Sequence, residues 1–294
     1  MTTTHAELSP PFDYHAAFSR NIGWFTEQEQ QILSSKKVAI AGCGGVGGIH
    51  TLTLARLGIG HFALADFDSF GIENFNRQIG ATMSTLDKPK LAVISQMLRD
   101  INPQVQLADF PQGVNEQNAE AFLEGVDLYV DSLDFFAVKA RRLMFEICHR
   151  KQIPAITAAP LGMGTAFLCF MPGEMSFEEY FGLAQHTESE QFVRFYLGLA
   201  PKGLQRSYLV DPSRVDLANK RGPSTIVGCT LSAGIAAAYA SKILLGRGEL
   251  ICAPRGMQFD GYCNKLVYSW MPFGAANPWF KLKVKLAKRQ LGIN

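Results

Sequence analysis

Short runs of consecutive apolar residues alternate, over roughly the first 170 positions, with longer stretches in which apolar side chains recur every three or four residues. Residues 38–41 (VAIA), with lysines before and glycines after, are too few for a helix and read as a buried parallel strand. A helix follows over 46–57, stopped by Gly58 and Gly60, and then a strand over 61–66, so a βαβ unit forms within about thirty residues. The alternation continues with a helix at 88–100 ended by Asn102 and Pro103, a strand at 105–110, a helix at 116–123 and a strand at 127–132. A helix at 136–151 and strands at 154–159 and 164–170 complete this half. Upstream, Thr26 and Glu29 have the spacing of a capping box that opens a short helix to Leu33. Such repeated order predicts a doubly wound α/β fold, a Rossmann-like and mainly parallel sheet with helices on both faces.

Beyond Phe170 the pattern changes. Residues 174–224 mix aromatics (Phe177, Tyr180, Phe181, Phe192, Phe195, Tyr196) with charges and glycines, without one sustained period, and read as an insertion of short helices over the sheet. An Ala-rich helix is expected over 225–246, then strands near 257–259 and 266–270 that complete the sheet. Residues 279–291 set Phe280, Leu282, Val284 and Leu286 beside Lys281, Lys283, Lys285, Lys288 and Arg289, the pattern of an amphipathic helix. This divides the chain into an arm and helix (1–35), a nucleotide-binding α/β core (36–170) and a C-terminal acceptor-binding and dimerisation region (171–294).

Composition narrows the function classes. With 294 residues, 47% hydrophobic, 18% charged and a net charge of +2, the chain can bury a large core and is neither disordered nor globally basic. Residues 225–246 are long enough to span a bilayer, but their Gly, Ala and Ser content, Lys242 and the lack of flanking aromatics predict a buried helix and no membrane partner. The first residues lack the basic start and apolar run of a signal peptide. Six cysteines without a CxxC pair make neither a disulfide framework nor a zinc ribbon, so reduced thiols and a cytoplasmic location are expected. The histidines His5, His15, His50, His61, His149 and His186 show no metal-binding spacing.

The strongest chemical signal is the GxGGxG of Gly42, Gly44, Gly45 and Gly47, set between a strand and a helix, where close backbone approach and a helix N-terminus suit a phosphate. Asp66 ends the next strand, where a carboxylate accepts hydrogen bonds from ribose hydroxyls. These features fit NAD, FAD or ATP alike. Arg77, within NFNRQ, and the Lys88-Pro89-Lys90 helix start then bring cations to the carboxyl edge of the sheet, suited to the β- and γ-phosphates of ATP. Asp131 and Asp134 end another strand at that crevice; a carboxylate there is a candidate Mg²⁺ ligand, or alternatively a helix cap.

The segments GCGGVGG, ALADFDSFGIENFNRQ, DKPKLAVISQMLRDINP and YVDSLD, in that order, resemble the ThiF/MoeB/HesA adenylyltransferases, the prokaryotic branch of the ubiquitin-activating-enzyme superfamily. The resemblance is specific over about 20–170. It implies an ATP-dependent enzyme, commonly dimeric, that activates a carboxylate, usually the C-terminus of a ubiquitin-like or sulfur-carrier protein or a peptide, as an acyl-adenylate. By the same resemblance Gly42, Gly44, Gly45 and Gly47 line the nucleotide, Asp66 holds the ribose, Arg77 and Lys90 bind phosphates, Asp134 handles Mg²⁺, and Asn74 and Gln78 support the pocket. Arg20, in AFSRNIG, stands where the family carries an arginine that reaches the triphosphate across a dimer.

Two departures bear on mechanism. Many relatives carry a four-cysteine zinc site, which this sequence lacks, so no zinc is expected; others carry a thioester or persulfide cysteine on a loop that here, over 201–224, has none. Cys229 lies within the following helix as a core filler, and Cys43 sits at a helix end that favours a lowered pKa but packs away from the nucleotide. The alternative enzyme reading is a tRNA threonylcarbamoyladenosine dehydratase, a related group also without the cysteine, for which the basic tail suits RNA phosphates. A non-catalytic nucleotide-binding scaffold and an NAD-dependent dehydrogenase rank below it.

Overall fold

The computed structural model describes residues 11–216 and 219–293. The elements are α1 (Tyr14–Phe18), α2 (Glu27–Ser35), β1 (Lys37–Ala41), α3 (Gly45–Arg56), β2 (His61–Ala65), α4 (Lys90–Ile101), β3 (Gln106–Phe110), α5 (Ala119–Phe122), β4 (Leu128–Asp131) and α6 (Val138–Lys151). They continue as β5 (Ala155–Leu161), β6 (Gly164–Phe170), α7 (Phe177–Phe181), α8 (Glu188–Leu199), α9 (Ile226–Leu245), β7 (Arg255–Asp260), β8 (Lys265–Trp270) and α10 (Pro278–Leu291). One eight-stranded sheet has the order β3-β2-β1-β4-β5-β6-β7-β8. The strands from β3 to β5 pair in parallel, and β6, β7 and β8 are added antiparallel. The doubly wound α/β fold expected from the sequence is therefore present, completed by C-terminal strands.

Side chains alternate across each strand, so the sheet feeds two cores. Val38 and Ile40 of β1 point into a core shared with α2, α3, α4 and α9, while Ala39 and Ala41 face one built from α5, α6, α7, α8 and α10. The Thr26 box forms as read: Thr26 Oγ1 accepts the Glu29 N–H at 3.1 Å and Glu29 Oε2 accepts the Thr26 N–H at 2.8 Å. The Ala-rich helix α9 lies against β5 and β6, and buries Gly228, Cys229, Ser232, Ala233, Ala236, Ala237, Tyr239, Ala240 and Leu244. Thr225 caps it, and Gly246 ends it in a left-handed turn at φ 64°.

The differences from the sequence reading have local causes. The helix expected from Lys88 starts at Lys90, because the Lys88 carbonyl is engaged by the Phe70 N–H and Pro89 precedes the first turn. Within 174–224 the structure holds a twelve-residue helix, α8, where no sustained period was evident. Its inner face includes Glu190 and Arg194, which interrupt the apolar period; buried Glu190 is paired with Arg194 and Lys288, and His186 Nδ1 also contacts it, all at 2.6–3.0 Å.

Candidate functional site

β1 has β2 on one side and β4 on the other, so the chain reverses its winding there and leaves a crevice beyond the strands' carboxyl ends. The segments leaving β1, β2 and β4 carry the glycine turn, Asp66 and residues 131–134. Side-chain carbon is excluded from the turn by contact. Gly42 adopts φ +95°, and a Cβ there would lie 2.4 Å from the Ser132 carbonyl oxygen; a Cβ on Gly47 would lie 1.7 Å from the Gly42 oxygen. Gly44 has space, its nearest neighbour being the Gln78 amide at 3.8 Å, and Gly45 packs on the Arg77 stem and the Cys229 sulfur, each at 3.4 Å from the Cβ position. The α3 N-terminus at Gly45 thus opens into a cradle walled by Gln78, Arg77 and Cys229.

Asp66 is fixed by the main chain. Its Oδ2 accepts the Cys43 N–H at 2.6 Å and its Oδ1 accepts the Asp68 N–H at 2.8 Å. Burial raises its pKa, and these two amides, then Lys90, oppose the rise. Lys90 is almost wholly buried and gives its Nζ to Asp68 Oδ2 at 3.1 Å, so the structure pairs it with a carboxylate beside Asp66. Asp68 was not singled out from the sequence, although the Asp-x-Asp spacing after a strand could have drawn attention to it.

The NFNRQ segment is folded against the turn. Asn74 is buried and its Oδ1 accepts the Gly71 N–H at 3.0 Å; Arg77 Nη1 donates to the Glu73 carbonyl and to Asn76 Oδ1, each at 2.9 Å. Asn76 Nδ2 also donates to the Ser224 carbonyl at 3.0 Å, tying the segment before α9 to the crevice. Gln78 is buried, and its Oε1 has no hydrogen-bond partner in the protein. A buried amide oxygen left this way costs about 1–3 kcal/mol, while the Gln78 Nε2 is the side-chain atom nearest Gly44, 3.8 Å from its Cβ position.

At the end of β4, Asp131 and Asp134 separate into two roles. Asp131 is buried and pairs with Arg141 Nε at 2.7 Å, while the Arg141 guanidinium also holds the Leu133, Asp134 and Phe135 carbonyls. Asp134 is exposed, and its Oδ1 accepts the Phe136 N–H at 2.9 Å in the turn before α6; it is not the helix cap expected as the alternative to metal binding, since Ala137 holds the N-cap position without a side-chain bond. No group of three or more His, Cys, Asp or Glu that could hold a metal occurs among the described residues. A Mg²⁺ ion keeps most of its ligands from water and phosphate, so a single carboxylate at this position is compatible with one.

Arg20 lies far from its own crevice. It is exposed in a short 3₁₀ turn, Ser19–Asn21, whose Asn21 side chain bonds the Arg56 carbonyl at the last turn of α3. The glycine turn is at the other end of α3, roughly 16 Å away at 1.5 Å per residue. Cys43 is buried, and burial with Asp66 beside it pushes the thiol well up, against the direction expected from the helix end. Cys229 is fully buried, as a core filler would be, but also touches the cradle; burial raises it while Arg77 pulls it down. Of the other histidines, His186 contacts Glu190 and His5 lies outside the described residues, while His50 is buried under the turn with Nδ1 3.1 Å from Ser132 Oγ. No sequence spacing links that pair.

A model of the ThiF family matches residues 18–278. The chain is 34% identical over 142 residues to the tRNA threonylcarbamoyladenosine dehydratase of Bacillus subtilis (strain 168), covering 48% of this chain and 55% of the relative. It is 33% identical over 143 residues to the sulfur carrier protein ThiS adenylyltransferase of Escherichia coli (strain K12), covering 49% and 56%. The chain thus spans about half the length of the curated relatives it matches. Among solved structures, E. coli MccB with ATP superposes with a TM-score of 0.66 at 20% identity, covering 91% of this chain and 75% of that one. E. coli TcdA gives 0.57 at 21% identity, covering 79% and 95%. At these identities the structural matches establish the fold.

Proposed function

We propose, for a chain that belongs to the ThiF family, an ATP-dependent adenylyltransferase that activates a carboxylate as an acyl-adenylate and releases pyrophosphate. ThiF-family members are adenylyltransferases or related enzymes, which supports an enzymatic role in general. The observation that carries the reading is the cradle itself: a turn closed to side chains at Gly42 and Gly47, Asp66 locked in place beside it, and the buried Gln78 side chain, whose amide nitrogen is the group nearest Gly44.

In this reading the acceptor's carboxylate oxygen attacks the α-phosphorus of ATP. The new C–O–P bond forms as the bond to the bridging oxygen of the β-phosphate breaks, and the electron pair leaves with pyrophosphate. The turn and the α3 N-terminus hold phosphate oxygens through main-chain N–H groups. Arg77 and Lys90 neutralise charge on the departing phosphates, Asp66 orients the ribose, and Asn74 and Gln78 keep the wall in shape. For Lys90 this requires Asp68 to share it with the nucleotide. Asp134 would hold a Mg²⁺ ion, which supplies charge neutralisation to the triphosphate when bound. Arg20 would serve a second copy of the chain in a homodimer, since it lies at the wrong end of α3 to serve its own.

The acceptor we favour is a protein or peptide C-terminus, approached from the side of residues 171–294, in the cytoplasm. The tRNA reading is supported by the name of the B. subtilis relative and by exposed Lys281, Lys285 and Arg289 on α10. Isotope tracing tests the chemistry. With ¹⁸O in the acceptor carboxylate, later transfer of the acyl group must leave label in AMP; label in inorganic phosphate instead would indicate attack at the γ-phosphorus.

A further inference from the structure

His50 lies five residues into α3, fully buried, where an imidazole needs a reason to be. Its Nδ1 is 3.1 Å from Ser132 Oγ. Ser132, in turn, is the surface on which the glycine turn rests: its carbonyl oxygen is what a Cβ on Gly42 would strike at 2.4 Å, and its own Cβ is 2.9 Å from the Cβ position of Gly47. The two ends of the turn therefore contact one residue, and one side chain holds that residue from beneath. The opposite ring nitrogen, Nε2, is buried and has no partner meeting hydrogen-bond geometry, although the Ser232 main chain of α9 is close. The ring is neutral, as burial drives its pKa down to about 3.

We propose that His50 is a positioning residue for the nucleotide: through Nδ1 it fixes Ser132, and Ser132 fixes the spacing between Gly42 and Gly47 on which main-chain phosphate binding depends. This rests on the reading of the turn as an ATP site. His50 touches neither phosphate nor acceptor, so it acts on the affinity for ATP and not on the chemical step. Its neutral ring either accepts the Ser132 hydroxyl proton or donates to that oxygen, and both arrangements hold the serine rotamer.

Two substitutions separate this role from simple filling of space. Asparagine places a hydrogen-bonding atom near the position of Nδ1 but leaves a void; glutamine fills more of the volume but carries its polar atoms out toward Nε2. Calorimetric ATP titration of wild type, His50→Asn, His50→Gln and Ser132→Ala, each with its thermal unfolding midpoint, is the test. ATP–pyrophosphate exchange supplies KM and kcat. Expected are a Kd and KM for ATP raised about tenfold in His50→Gln and Ser132→Ala, the scale of one lost hydrogen bond, with kcat nearly unchanged and His50→Asn close to wild type. The double variant His50→Gln, Ser132→Ala should be no worse than either single one. Equal ATP affinity in all variants overturns the proposal, and so does an order of affinity that follows the unfolding midpoints with His50→Asn weakest. Absence of ATP binding by folded wild type would instead refute the nucleotide site itself, and the positioning role with it.

Discussion

Asp66 accepts the Cys43 main-chain N–H at 2.6 Å, joining the end of β2 to the glycine turn that follows β1. One carboxylate therefore sets the turn's distance from the neighbouring strand, and in the proposed function its remaining lone pairs serve the ribose. Asp66→Ala removes both, and ATP affinity should fall by about 1.5–3 kcal/mol, the value of hydrogen bonds to a charged acceptor. Calorimetry on the folded variant checks this, and unchanged affinity would remove Asp66 from the site.

The glycines should differ sharply. Gly47→Ala forces a Cβ to within 1.7 Å of the Gly42 oxygen, so the backbone must move, with a stability loss of several kcal/mol and no measurable ATP binding. Gly44→Ala meets nothing nearer than 3.8 Å and should fold as wild type does. Thermal unfolding of both variants decides whether contact or merely glycine content governs the turn.

His50 gives the fold a pH dependence with a definite sign. Its pKa falls from 6.5 in the unfolded chain to about 3 in the folded one. The stability from its neutral burial is complete above about pH 6.5 and is lost as pH falls toward 3, with a slope approaching 1.4 kcal/mol per pH unit. Carboxylates also titrate in this range, so the informative quantity is the difference between wild type and His50→Gln from pH 6.5 to 5. Denaturant unfolding should show the variant losing less stability; parallel profiles would contradict a neutral, buried imidazole.

Arg20 and Asp134 are the pair to test for a shared site. Arg20→Ala and Asp134→Asn should each abolish most exchange activity, and mixing them should restore part of it, because a mixed dimer rebuilds one complete site. Once subunit exchange is demonstrated by native mass spectrometry, absence of recovery would show that Arg20 does not act in trans.

The sheet was legible because its strands are the simplest signal a sequence carries: VAIA between lysines and glycines has few other solutions. The turn was legible for a related reason, since GxGGxG after a strand specifies backbone geometry directly. What escaped notice depends on distant contacts. Lys90 read as a free phosphate ligand, yet Asp68, twenty-two residues earlier, holds it. His50 and Ser132 are eighty-two residues apart and meet only because α3 and β4 both pack beside the turn. The helix α8 was hidden because its buried face includes Glu190 and Arg194, which pair with each other, and Glu190's further partners His186 and Lys288 come from either side in the chain, one of them ninety-eight residues beyond it.

ATP–pyrophosphate exchange with the purified protein, with and without candidate acceptors bearing a free C-terminal carboxylate, bears most directly on the adenylation chemistry. Exchange of labelled pyrophosphate into ATP should require the acceptor carboxylate and Mg²⁺, and should disappear when that carboxylate is amidated. Exchange indifferent to amidation, or ATP cleaved only to ADP and phosphate with an acceptor that demonstrably binds, would contradict carboxylate adenylation at this site.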